Sequence, residues 1–273
     1  MTHIYTVYFS PTGTTRKLVL AVAEGLAEKL GRTCCAVDVT APEKRREALD
    51  FTEEDVVIIA FPVYAGRLPN LLLPYLKTLR GQNTPALPLV VFGNRDYDDA
   101  LLELGLLLEQ QGFRCFAAGA FVGEHAFSRV LGAGRPDGAD LLQAADFGRA
   151  AAGKLESRLF PQSIWALLGE PERSLKPYYT PRDRFGTPVN ILKVKPKLDA
   201  GKCTRCSRCA SLCPLGSIDP ADPANIRGIC MKCGACVKGC PQGARYYDDA
   251  GYLYHQHELE ELYARRAEPS VFL

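Results

Sequence analysis

Eight of the 11 cysteines fall between Cys203 and Cys240, in two runs that share one spacing. The first reads C-T-R-C-S-R-C-A-S-L-C-P and the second C-M-K-C-G-A-C-V-K-G-C-P, each of the form C-x2-C-x2-C-x3-C-P. Thiolates are soft metal ligands, and three of them at every third position on a tight turn wrap one face of a metal centre. Zinc ribbons use two CxxC pairs and do not usually carry a third Cys at the same step followed by Cys-Pro. Disulfide frameworks suit small secreted domains, and the chain shows no secretory signature. Two matched sets of four thiolates are the donor number for two four-iron clusters. Pro214-Leu215-Gly216-Ser217-Ile218 and Pro241-Gln242-Gly243-Ala244, which follow the fourth Cys of each run, are near-copies and mark an internal repeat.

The doubled run resembles that of the bacterial two-cluster ferredoxins, in which the fourth Cys of each run ligates the other cluster. The resemblance implies that Cys203, Cys206, Cys209 and Cys240 hold one 4Fe–4S cluster, and Cys230, Cys233, Cys236 and Cys213 the second. Cys34, Cys35 and Cys115 lie in apolar, strand-like surroundings where a reduced thiol acts as a small hydrophobe. Adjacent Cys34 and Cys35 point to opposite strand faces and do not pair.

The chain has 273 residues, 47% hydrophobic and 23% charged, with a formal net charge of +2. That length accommodates about two domains with an ample core, and the near-balanced charge gives no footprint for nucleic acid. The longest apolar run, Val56 to Ala65, contains Pro62 and is short of the roughly 20 residues a membrane helix needs. A soluble protein in a reducing, cytoplasmic compartment is expected.

Stepping along the chain, strands alternate with helices. His3 to Phe9 is an apolar β-run that ends in Ser10-Pro11-Thr12-Gly13-Thr14-Thr15-Arg16. A helical pattern over Lys17 to Leu30 follows and closes at Gly31. Strand, hydroxyl- and glycine-rich loop, then helix builds an anion site from backbone N–H groups at a helix N-terminus. The loop has neither the lysine of the nucleoside-triphosphate fingerprint nor the G-x-G-x-x-G of dinucleotide sites. Further strands are expected at Thr33 to Val39, within Glu53 to Phe61, at Leu87 to Phe92 and at Phe113 to Val122. Helices are expected around Asn70 to Leu79, Asp99 to Gln111 and Asp137 to Leu159. This order predicts an α/β doubly wound, five-stranded parallel sheet, with ligands at the carboxyl ends of the strands.

The loops at those ends resemble the flavodoxin cofactor loops. By that resemblance Ser10, Thr12, Gly13, Thr14 and Thr15 hold the phosphate of FMN. The loops after the third and fourth strands enclose the flavin ring, with Tyr64 and Tyr97 stacking on it. Pro62, Val63, Ala65, Gly66, Gly93, Asn94, Arg95 and Asp98 fill the remaining contact positions. Gly66, free to take positive φ, is where a peptide turns to hydrogen-bond flavin N5. The wording F-x-P-V-Y-A-G-R-L-P and F-G-N-R-x-Y-x-D-A-L closely resembles a family of flavodoxin–ferredoxin fusions found in anaerobes, over nearly the whole chain. The implied organisation is a flavodoxin-like FMN domain at 1–160, a connector at 161–196, and a small α+β two-cluster ferredoxin domain with a C-terminal helix at 197–273.

The connector is rich in prolines and basic residues, which favours a stiff spacer. Its Trp165 is expected at the domain junction, and its cations are candidates for docking an acidic redox partner. His125, in the loop after the fifth strand, is a candidate flavin or proton contact, while His255 and His257 read as the solvated start of a surface helix over Glu258 to Arg266. The combination implies an electron-transfer flavo-iron–sulfur protein that relays low-potential electrons to or from a redox protein donor and acceptor. The alternative is a flavin-dependent reductase of a small molecule, fed by the clusters. Two tyrosines over the flavin lean toward the carrier.

Overall fold

Strands buried on both faces read as unbroken β-branched runs, and Val56 to Phe61 is such a run, at most 1% exposed. In the computed structural model, which describes residues 3–273, it forms the centre of a mostly parallel sheet. The elements of the first part are β1 (His3–Tyr8), α1 (Thr14–Leu30), β2 (Cys34–Asp38), β3 (Asp50–Phe51), β4 (Asp55–Pro62), α2 (Leu73–Leu76) and β5 (Arg80–Gly81). They continue with β6 (Thr84–Phe92), α3 (Ala100–Gln110), β7 (Phe113–Cys115), β8 (Ala118–Val122), α4 (Gly138–Ser157) and α5 (Ile164–Leu168). The second part holds β9 (Lys197–Leu198), α6 (Arg208–Ser211), α7 (Ala235–Lys238), β10 (Arg245–Tyr246), α8 (Ala250–Leu262) and β11 (Ser270–Phe272).

The sheet runs β11-β8-β6-β4-β1-β2, with β7 paired to the start of β6. Its β2, β1, β4, β6 and β8 are parallel, and β11 joins β8 antiparallel. Five parallel strands were expected; among the described residues the sheet has seven. The extra ones arise because the chain over 113–122 pairs with β6 twice, either side of Phe116-Ala117, and because the C-terminal residues return from the cysteine region to the sheet edge.

Helices cover both faces. On one, α1 and α4 pack so closely that a Cβ on Gly25 would meet the Ala145 carbonyl oxygen at 2.0 Å, and one on Gly148 the Val22 carbonyl oxygen at 2.0 Å. Asp137 caps α4 through a capping box with Asp140, and Gly31, with φ 62°, closes α1. On the other face, α3 and α5 cover a core that contains Phe61, Leu101 and Trp165. Trp165 therefore packs inside the first part and not at a domain junction. Helix formation over 70–79 is reduced to a 3-10 turn (Asn70–Leu72) and α2, whose first turn carries a proline.

The connector lies along the first part. Arg173 makes a bidentate pair with the buried Asp99 at 2.8 and 2.9 Å and is spent there, the Tyr178 hydroxyl donates to the Leu68 carbonyl at 2.9 Å, and the Tyr179 amide donates to Ala65 at 2.8 Å. The last helix starts earlier than expected. Asp249 caps α8, and His255 lies in its middle, 4% exposed; only His257 faces solvent. Among the described residues no helix is long and apolar enough to cross a membrane.

Candidate functional site

Both cysteine runs take the same backbone path. Arg205 and Ser207 in the first, and Lys232 and Gly234 in the second, stand at the same two offsets and all have φ between 54° and 74°. Left-handed backbone costs a residue with a Cβ about 1–2 kcal/mol. Its repetition marks a strain that serves the site: alternating backbone of this kind turns successive N–H groups inward into an anion-binding nest. The thiol sulfurs receive backbone amides both from this path and from the turns that follow each run. The Ser217 amide donates to Cys213 Sγ and the Ala244 amide to Cys240 Sγ, each at 3.3 Å and four residues on, and the Arg205 amide to Cys203 Sγ at 3.4 Å.

The eight thiols line two cavities. Cys203, Cys206, Cys209 and Cys240 surround one, and Cys213, Cys230, Cys233 and Cys236 the other. The short helix α6 carries Cys213 away from its own run, and α7 does the same for Cys240. The cysteines are free thiols. Among the described residues no group of three or more His, Cys, Asp or Glu side chains is placed to hold a single metal ion. A mononuclear site needs donors converging on one point, whereas the thiolates of a polynuclear cluster sit on different irons and surround a void. Burial pushes the Cys233 and Cys236 thiols up to about 12, which disfavours their thiolate forms. Burial also raises Cys240, but the backbone amides around it outweigh that and bring it below the usual thiol value.

At the carboxyl ends of the strands lies a cleft of about 740 Å³. Thr12, Thr14 and Thr15 form one end, where Gly13, at φ 86°, caps α1 without any side-chain hydrogen bond. The first amides of a helix have no intrahelical partner. Arg16 N–H is taken by Ser10 Oγ at 2.9 Å, so the hydroxyls and amides of Thr14 and Thr15 make the cradle. Pro62, Val63, Tyr64, Ala65, Gly93 and Arg95 also line the cleft.

Tyr64 begins a tight turn in which Ala65 (φ 53°) and Gly66 (φ 74°) are both left-handed, and its amide donates to the Arg67 carbonyl at 2.9 Å. Below the turn, Arg67 pairs with buried Glu103 at 2.7 and 2.9 Å, and Glu103 also accepts from the Leu68 amide at 2.8 Å. Burial, reinforced by the neighbouring Cys233 and Cys230, holds the Tyr64 phenol well above its usual value.

Ser10, Gly13, Gly66, Asn94, Tyr97 and Asp98 are not on the cleft wall, though they were expected to contact a cofactor. Tyr97 turns inward against Phe92, their rings 5.6 Å apart, because the apolar core below offers it more contact than the cleft. Asn94 is 2% exposed and faces the C-terminal tail: its Nδ2 donates to the carbonyls of Tyr263 (2.7 Å) and Arg265 (2.6 Å), and its Oδ1 accepts from the Ala267 amide (3.1 Å). Asp98 pairs with Arg95 and fills the space that a Cβ on Gly66 would need.

Other residues take their places. Tyr178 and Tyr179 of the connector line the cleft, and Arg95 lies 4.6 Å over the Tyr179 ring. His125 and His255 line it too. The Phe127 amide donates to His125 Nδ1 at 3.2 Å, so the other ring nitrogen carries the proton. Burial, with Lys238, His255 and Arg95 adding, brings His125 down to about 3. Of these, His125 was a candidate from its loop position; Tyr178 and Tyr179 were signalled only by an aromatic pair among prolines, and a buried His255 by nothing.

The cleft and one cysteine cavity share a wall, formed by Ile229, Cys230, Met231 and Cys233. The contact is fastened from α7: Lys238 Nζ donates to Glu124 and to the His125 carbonyl at 2.6 Å. Gly234 comes so near that a Cβ would meet the Ala126 carbonyl oxygen at 2.4 Å.

No family model matches the chain, and no curated protein matches it. Solved structures do match. A flavodoxin from the domain Archaea is 13% identical and aligns with 57% of this chain and 99% of its own at a TM-score of 0.41. The two-electron reduced flavodoxin of Megasphaera elsdenii is 16% identical, covering 55% and 98% at 0.38. An apo NADH:FMN oxidoreductase is 20% identical, covering 60% and 92% at 0.37. These structural neighbours are flavodoxin-like folds.

Proposed function

We propose that the cleft binds FMN, that each cysteine cavity holds a 4Fe–4S cluster, and that the chain relays electrons between them on behalf of redox protein partners. The observation that carries this reading is the shared wall, which puts two cysteines of one cavity on the surface of the cleft. A bound flavin exchanges one or two electrons and a cluster one, so the chemistry supplied is a conversion between pair and single-electron transfer.

The chain's own residues then have defined tasks. Thr12, Thr14 and Thr15 hold the phosphate with hydroxyl and amide donors at the start of α1. Tyr64 and Tyr179 flank the ring, and neutral His125 donates a hydrogen bond within the cleft. Cys203, Cys206, Cys209 and Cys240 hold one cluster, and Cys213, Cys230, Cys233 and Cys236 the other. Lys238 keeps the two sites in register through the 124–127 loop.

The inward turn of Tyr97 favours a second reading. A carrier covers its flavin with its sheet loops, and here one of the two expected rings is replaced by Tyr179 of the connector, so a small-molecule electron acceptor would gain access if the connector moved aside. Anaerobic purification followed by iron, sulfide and flavin analysis tests the first reading: about eight irons and one FMN per chain are expected. About four irons, or FAD in place of FMN, overturns it in that part. Saturable turnover of a small acceptor at low concentration selects the reductase reading.

A further inference from the structure

Arg245 opens β10, five residues past Cys240, and is 2% exposed. Its Nη1 donates to the Pro196 carbonyl at 3.4 Å. Its Nη2 donates to the Pro223 carbonyl and reaches Cys209 Sγ at 3.7 Å. Its Nε has no partner among the described residues. A guanidinium keeps its charge at any physiological pH, and a buried charge without a counter-charge is strongly disfavoured. Carbonyls satisfy N–H groups but supply no counter-charge.

The chain pairs its other buried arginine: Arg135, 6% exposed, holds Asp140 at 2.6 and 3.0 Å. Arg67, mostly covered, holds Glu103. Arg245 makes no such pair among the described residues. What it lines is the cavity of Cys203, Cys206, Cys209 and Cys240.

We propose that Arg245 is the fixed counter-charge of the cluster in that cavity, and that it holds the cluster's reduction potential above the value the four thiolates alone would set. The inference rests on the cluster reading given above. Four thiolates make a cubane anionic, and each electron accepted from a one-electron donor adds one further negative charge. A cation fixed beside the sulfurs, in surroundings that screen little, favours that added charge. Cys236 of the other cavity also feels the guanidinium, but only Cys209 is in contact with it. The nearer cluster therefore responds more.

The test uses the full chain with its cofactors, as wild type, Arg245→Met and Arg245→Lys. Iron and sulfide are counted, and both cluster potentials are read by paramagnetic resonance during titration with dithionite. Arg245→Met should lower one potential clearly more than the other, and Arg245→Lys should restore most of the difference. If Arg245→Met loses one cluster while Arg245→Lys keeps both, charge is again what matters and the proposal stands. Unchanged potentials in Arg245→Met overturn it. So does an Arg245→Lys that behaves like Arg245→Met, since the role would then be the bonds to Pro196 and Pro223. A wild-type chain without iron defeats the cluster reading itself, which the iron count shows before any potential is measured.

Discussion

Replacing Asn94 by glycine should loosen the C-terminal tail while leaving the rest of the sheet intact. Glycine is the substitution of choice because Asn94 has φ 65°, which glycine adopts without strain. The side chain satisfies two backbone carbonyls and one amide of the tail. Leaving such groups without a partner costs about 1 kcal/mol each where water reaches them. Three groups give about 3 kcal/mol, or about a hundredfold in the equilibrium for opening the tail. The tail does not detach, because Arg135 still donates to the Ala267 carbonyl at 2.6 Å and Arg266 still pairs with Asp137 and Asp140. Amide hydrogen exchange reads the effect directly. Amides of β11 should exchange about a hundredfold faster, while those of β1 and β4, which open only with the whole molecule, change far less. Exchange in β11 within twofold of wild type would refute the reasoning, since the Asn94 bonds would then contribute almost nothing to holding the tail.

Gly148→Ala puts a Cβ against the Val22 carbonyl oxygen, and backbone on both sides has to move; a loss of about 3 kcal/mol is expected from urea unfolding. Gly153→Ala on the same helix faces open space and should be neutral or stabilise by up to about 1 kcal/mol, so equal effects would show that helix contact is not the cause. His125 sets a pH dependence. Its folded value, about 3, lies below its ordinary 6.5, so its contribution to stability is complete above 6.5 and is lost as pH falls toward 3. The groups facing it are Lys238, His255 and Arg95, all of which disfavour its protonation. Wild-type protein should lose urea resistance between about pH 7.5 and about pH 5.5, and His125→Gln should lose less; equal losses would mean that His125 is not the group responsible.

The sheet was legible because parallel strands buried on two faces leave long apolar runs, as over 55–61, and because α1 and α4 have clear caps. The repeat in the cysteine runs was legible for a related reason: each run follows one local backbone path, so it is written in consecutive residues. The cleft was legible only in part. Thr12 to Thr15 and Pro62 to Ala65 belong to loops whose position follows from strand order. Whether Tyr97 faces the cleft or the core depends on Phe92 beside it, and Asn94 answers to a tail more than 160 residues away. No local pattern carries such facts. The strand Ser270–Phe272 is too short for alternation to register, and His255 gave a polar reading to a helix position that packing buries.

The return of β11 to the sheet has a consequence for the order in which the protein is made. A ribosome releases residues 118–122 about 150 residues before the strand that covers their outer edge. Until then β8 presents bare N–H and C=O groups, the kind of edge that recruits foreign strands. Both cysteine runs emerge within that interval. The sheet is therefore completed only after every thiol of the two cavities has left the ribosome, so a nascent chain cut short after its cysteines would carry an open sheet edge.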